Sequence, residues 1–205
     1  MSKDDSNRPS ITEVISLPRS ELLLFLSDIY EKSPWVAEEF CNSLLTRETT
    51  IETVRELLVM MHGAVDAAPR EKRLELLKSH PDLCEKVENM AELTAASREE
   101  QGKAGLQTLT AEERSRFLVT NKKYRDKFGF PFILAVRKVS KYTVMSALNG
   151  RLGNSSDVEF AAALEQVRKI AWMRLLAAID VTESKGFLTC HVLDTANGCP
   201  GKLPC

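Results

Sequence analysis

Neither sign of charge prevails in this chain: 28 Lys and Arg stand against 29 Asp and Glu in 205 residues, a formal net charge of −1. That balance argues against a nucleic-acid binder or a protein drawn to an anionic membrane surface. No apolar run approaches the roughly 20 residues of a transmembrane helix. The opening MSKDDSNRPS is polar and lacks the apolar stretch of a secretory signal. A phosphate-cradling glycine loop, a Gly-x-Ser-x-Gly elbow and a His-Glu-x-x-His pair are all missing, so the common nucleotide-binding and hydrolytic classes gain no support. The five cysteines are odd in number and lack framework spacing, which points to a reducing compartment. Cys190, His191, Cys199 and Cys205 lie close together, but their spacing fits no structural zinc pattern. The chain does not end in Ser-Lys-Leu, and it shows no internal repeat and no low-complexity tract. The expectation is a soluble intracellular protein.

What is present is helical. With 43% hydrophobic residues the chain can build a packed core, and its length suits one domain with an appendage. Residues 1–15 read as a flexible arm. Leu22, Leu23, Phe25, Leu26 and Ile29 follow a helical period, and Ser33-Pro34 starts the next helix. Thr49 to Glu52 has the pattern of a capping box, ahead of Val54, Leu57, Leu58, Met61 and Val65. Pro69 opens a helix that Pro81 stops near His80. Ser97 to Glu100 and Thr110 to Glu113 are further boxes, the second opening a long helix that Gly129 ends. Phe130 to Val136 reads as buried extended chain or a distorted helical turn, Lys141 to Leu152 as a helix, and Ser156 to Glu159 as the cap of a last helix reaching about Ile179. No series of alternating strands appears, so a compact all-α bundle is expected. Gly186 to Thr195 looks like a strand with no partner elsewhere in the sequence.

Three features carry candidate chemistry. His80, at a helix C-terminus before a rigid turn, suits an acid–base role: the negative end of the helix dipole favours its imidazolium form. The same position suits an ordinary cap. Arg174 falls in the middle of the apolar stripe Phe160, Ala163, Leu164, Val167, Ala171 and Ala178. An arginine there must be ion-paired or face a cavity, where its donor fork could hold an anionic or carbonyl-rich ligand. Ser97, Glu100 and Gln101 form either a capping box or a helix N-terminal docking site for carbonyls and anions. His62 reads as a surface or boundary residue without a role. Cys84, near His80, reads as an incidental oxidation-sensitive site.

Five motifs occur in order: Ser79-His80-Pro81-Asp82-Leu83, Ser97-Arg98-Glu99-Glu100-Gln101, Phe128-Gly129-Phe130-Pro131-Phe132-Ile133, Arg151-Leu152-Gly153-Asn154, and Arg168-Lys169-Ile170 followed by Arg174. Together they make residues 15–180 resemble 2-oxo-4-hydroxy-4-carboxy-5-ureidoimidazoline (OHCU) decarboxylases of urate degradation. The segment Leu188 to Pro200 is similar to the opening strand of 5-hydroxyisourate hydrolase, a transthyretin-like enzyme one step earlier. His191 matches a catalytic histidine of that family, whose remaining residues are missing. No hydrolase activity is expected, and the chain reads as a truncated form, a splice product or an excised portion of a bifunctional protein.

The resemblance implies an all-α bundle of the OHCU decarboxylase type with a short non-helical C-terminal tail. The decarboxylase domain spans residues 16–182 and the linker with the incomplete strand 183–205. It implies a homodimer acting on OHCU without a cofactor or metal, without nucleic acid or membrane, in cytoplasm or peroxisome, with a functional link to hydroxyisourate hydrolase. His80, Glu100 and Arg174 take the catalytic positions. Pro81, Ser97, Arg98, Glu99, Gln101, Phe132, Ile133, Leu134, Ala135 and Val136 take the substrate-contact positions. The reading from another class is a non-catalytic helical interaction module, in which Arg174 is an internal ion pair and Ser97 to Gln101 only a cap. Convergence of His80, Glu100 and Arg174 would separate the two.

Overall fold

The computed structural model describes residues 8–45, 50–83, 109–136, 139–181, 193–194 and 199–200. Eight helices lie among them: α1 Ile11–Ile15, α2 Arg19–Leu26, α3 Trp35–Leu44, α4 Val54–Ala67, α5 Arg70–Ser79, α6 Ala111–Phe128, α7 Lys141–Leu152 and α8 Ser156–Ala178. The architecture is the expected all-α bundle. The short tail elements β1 Leu193–Asp194 and β2 Cys199–Pro200 pair antiparallel, Leu193 opposite Pro200. Residues 193–194 of the strand expected to lack a partner thus pair with residues 199–200.

Helix α8 is the central element. It packs against α4, α5 and α6, while α4 packs against α3 and α3 against α2. Phe160, Ala163, Leu164, Val167 and Ala171 of the expected stripe are buried and Ala178 at its end is half-buried; Leu175 of α8 is buried as well. The core continues through Leu57, Met61 and Val65 of α4, Leu76 and Leu77 of α5, and Phe117 and Tyr124 of α6. Around α6 an aromatic cluster forms: Tyr124 lies edge-on to Phe132 at 5.2 Å between ring centres and to Phe130 at 6.1 Å.

The helix ends follow local chemistry. Thr110 and Glu113 form the expected reciprocal capping box of α6, and Gly129 ends that helix in the left-handed region at φ 77°. The α4 box lies one turn later than expected, at Thr53 and Glu56. At α3 the cap is Pro34 rather than Ser33, and α8 is capped by Ser155 without a side-chain bond. Ser156 and Glu159 form no box, because the Glu159 side chain turns inward toward Arg151.

Residues 8–15 of the expected flexible arm are structured. Ser10 and Glu13 box the start of α1, with Ile11 and Val14 buried. Arg8 donates to the Leu176 carbonyl at 3.1 Å, and Asp180 donates its N–H to the Pro9 carbonyl at 2.9 Å. Beginning and end of the bundle are therefore tied together. Among the described residues, no helix is long and apolar enough to cross a membrane.

Candidate active site

His80 stands at the C-cap of α5, extended at φ −70° and ψ 136°, because Pro81 excludes a helical conformation for the residue before it. Its ring is buried, and Nδ1 lies 2.9 Å from the Leu76 carbonyl oxygen. A carbonyl only accepts, so Nδ1 carries a proton in either ionisation state, and proton exchange falls to Nε2. The turn that follows is anchored as well. Asp82 is buried and accepts from Asn121 Nδ2 of α6 at 2.8 and 3.0 Å, and from Arg125 at 3.2 Å. Pro81, between the two, is half-buried.

Arg174 is 8% exposed, and its guanidinium reaches across to the turn between α2 and α3. It donates to Glu31 Oε2 at 2.6 Å, to the Asp28 carbonyl at 3.1 Å and to the Ile29 carbonyl at 3.5 Å. Both partners of the ion pair are buried, so each offsets the other's desolvation. The pair is the structural role that the buried stripe allowed for this arginine. The same turn holds Lys32 at φ 45°, a left-handed conformation that a non-glycine residue keeps only when its surroundings hold it. They do so through Arg174 on one side and Ser79 on the other, whose Oγ lies 2.7 Å from the Glu31 carbonyl oxygen. His80 and Arg174 are thereby linked through two residues, Ser79 and Glu31. Glu31 has no periodic signature in the sequence and was not expected there.

The segment Phe132–Val136 has no regular secondary structure. Phe132, Ile133 and Val136 are buried, and Leu134 and Ala135 half-buried. Ile133 accepts at its carbonyl from Arg151 at 2.6 Å, and Ala135 donates its N–H to Gln166 Oε1 of α8 at 3.2 Å. Ser97, Arg98, Glu99, Glu100 and Gln101 lie outside the described residues, as do Cys84, Cys190, His191 and Cys205.

His62 departs from its expected surface position. It is buried, with Nδ1 3.1 Å from the Tyr30 hydroxyl and Nε2 3.8 Å from Asp66. Burial lowers its pKa, partly opposed by the Asp66 charge, and burial raises that of Tyr30. The phenol therefore stays protonated and donates to the neutral ring. The apolar neighbours of His62 in α4 were the available sign that it faces inward.

Comparison with known proteins agrees with this all-α bundle. The OHCU decarboxylase family profile matches residues 15–176. A 2-oxo-4-hydroxy-4-carboxy-5-ureidoimidazoline decarboxylase of Halalkalicoccus jeotgali is 41% identical over 150 residues, covering 73% of this chain and 80% of that one. A uric acid degradation bifunctional protein of Bacillus sp. (strain TB-90) is 34% identical over 165 residues, which are 80% of this chain and 31% of that protein. Among solved structures, a crystal structure of (S)-allantoin synthase superimposes with a TM-score of 0.74 at 44% identity. That match covers 93% of this chain, which spans 62% of the synthase chain. The chain belongs to the OHCU decarboxylase family, a family of carboxy-lyases.

Proposed function

We propose that this protein decarboxylates OHCU to (S)-allantoin in urate degradation, by acid–base chemistry without a cofactor. The observation that carries the reading at the site is the immobilised His80, buried at the end of α5 with its Nδ1 proton committed to the Leu76 carbonyl. The carbon that loses CO2 bears a hydroxyl and adjoins a ring C=N bond. That imine accepts the electron pair as the C–C bond breaks, so no pyridoxal or thiamine sink is required.

In this reading His80, tuned by Glu100, takes the hydroxyl proton as CO2 leaves, the former imine nitrogen takes up a proton from solvent, and the proton held by His80 is returned in the next step. The enol-like intermediate is then protonated on one face, at the carbon bearing the ureido group. Delivery from one fixed donor makes one enantiomer. Arg174 and Gln101 orient the carbonyls and the developing negative charge. Pro81, Ser97, Arg98, Glu99 and the backbone of Phe132–Val136 enclose the substrate, with amide groups matching its ureido arm. Glu100 pairs with ring or ureido nitrogens. A homodimer, a cytoplasmic or peroxisomal site of action, and a link to hydroxyisourate hydrolase belong to the same reading.

The test follows freshly generated OHCU by ultraviolet absorbance. His80→Ala and Glu100→Ala are each expected to lose about 10² to 10⁴-fold in turnover, the usual range for a general acid–base group, with helical circular dichroism intact. Near-normal turnover by folded His80→Ala would reduce the histidine to a cap.

A further inference from the structure

The buried ion pair between α7 and α8 has no part in the chemistry just described. Glu159, in the first turn of α8, is 0% exposed and gathers donors from three places. Arg151 of α7 donates Nε at 2.9 Å and an amino group at 2.5 Å; Asn154, just after α7, donates Nδ2 at 2.7 Å; Tyr124 of α6 donates its hydroxyl. The other guanidinium amino group of Arg151 reaches the Ile133 carbonyl at 2.6 Å. Its plane also lies over the Phe132 ring, 4.8 Å from the centre, and Tyr124 meets the same ring edge-on.

We infer that Arg151, aimed by Glu159, is a positioning residue for the reaction: it fixes the Phe132–Val136 backbone against which the ureido arm is bound. The inference rests on the functional reading above. A segment without a helix or ladder has no internal hydrogen bonds to set the direction of its amides. Here side chains of α7 and α8 supply it at Ile133, through Arg151, and at Ala135, through Gln166, while the Val136 carbonyl accepts from the Val139 N–H at 3.2 Å. A buried ion pair is a poor way to gain stability, since apolar residues of equal volume often serve as well. It does supply orientation. The planar fork of arginine bonds Glu159 with one edge and Ile133 with the other. A lysine ammonium is a single point and cannot hold both. Misplacing a substrate-contacting group by about 1 Å can cost on the order of 10²-fold in rate.

The experiment uses the full chain with the variants Arg151→Lys, Glu159→Gln and Arg151→Ala. Three readouts are taken: kcat and KM for OHCU, thermal melting, and the amide N–H resonances of Leu134, Ala135 and Val136. Folded Arg151→Lys and Glu159→Gln are expected to shift those resonances and lower kcat/KM by about 10 to 10²-fold. Millimolar methylguanidinium should restore Arg151→Ala at least several-fold, and should do nothing for His80→Ala. The inference is overturned if folded Arg151→Lys keeps kcat/KM within twofold, or if Arg151→Ala loses activity only in step with its folded fraction and is not rescued. Failure of the wild-type protein to turn over OHCU would sink the functional reading instead. In that case unshifted resonances in folded Arg151→Lys would overturn the positioning role separately.

Discussion

Arg174 has a defined structural partner in Glu31, and its proposed part in the chemistry can be separated from that role. Its pair with Glu31 is buried on both sides, so removing either partner leaves an uncompensated charge and is expected to cost about 3–5 kcal/mol. Replacing both with apolar residues, as in Glu31→Leu with Arg174→Met, should recover most of that loss in denaturant unfolding. Activity then separates the roles. If the recovered double variant turns over OHCU normally, Arg174 is only half of an internal ion pair. If it is stable and slow, the guanidinium acts on the substrate. The buried position of Arg174 was legible from the stripe of α8, but its partner was not. Glu31 lies 143 residues away in a turn, where no periodicity signals an inward-facing side chain.

Among the elements, α6 organises the site without supplying a proposed catalytic group. Asn121 and Arg125 hold the turn after His80, and Tyr124, nearby on the same helix, holds Glu159 and packs on Phe132. The exit of α6 sets where Phe130 and Phe132 begin. Gly129 makes that exit at φ 77°, with open space where a Cβ would stand. Gly129→Ala is therefore expected to lose about 1–2 kcal/mol through backbone conformation alone. Gly150→Ala, inside α7 and also unobstructed, should gain up to about 1 kcal/mol from helix propensity. Equal effects at the two glycines in chemical denaturation would contradict this account. Helix ends marked by proline, glycine or a Thr-x-x-Glu box were well placed in the sequence for α5 and α6. The Ser156 to Glu159 pattern misled because a capping glutamate and one drawn inward to an arginine have the same spacing. Only the tertiary position of Arg151 tells them apart.

At the scale of the whole molecule, pH should act through His62, where α4 meets Tyr30. Its pKa in the folded protein lies below the ordinary histidine value of about 6.5. Between those two values the unfolded chain binds more protons, so stability rises with pH there. The contribution is complete above about pH 6.5 and is lost as pH falls through the folded value. Thermal midpoints measured across pH 7.5 to 5 should decline, and the decline should be shallower in His62→Gln. An unchanged slope in that variant would assign the loss to other groups. The all-α class and the order of its helices were readable from helical periods. The tie between Pro9 and Asp180 was not, since two short polar segments far apart in sequence carry no pairing signal.

The central claim, enzymatic decarboxylation with one protonation face, is tested most directly by circular dichroism of the product. Freshly generated OHCU is mixed with the full chain, and the allantoin signal is followed as absorbance decays. The account predicts faster decay than in buffer and a product enriched in (S)-allantoin, both abolished in folded His80→Ala. Decay at the buffer rate, or racemic allantoin from the wild-type protein, would contradict it.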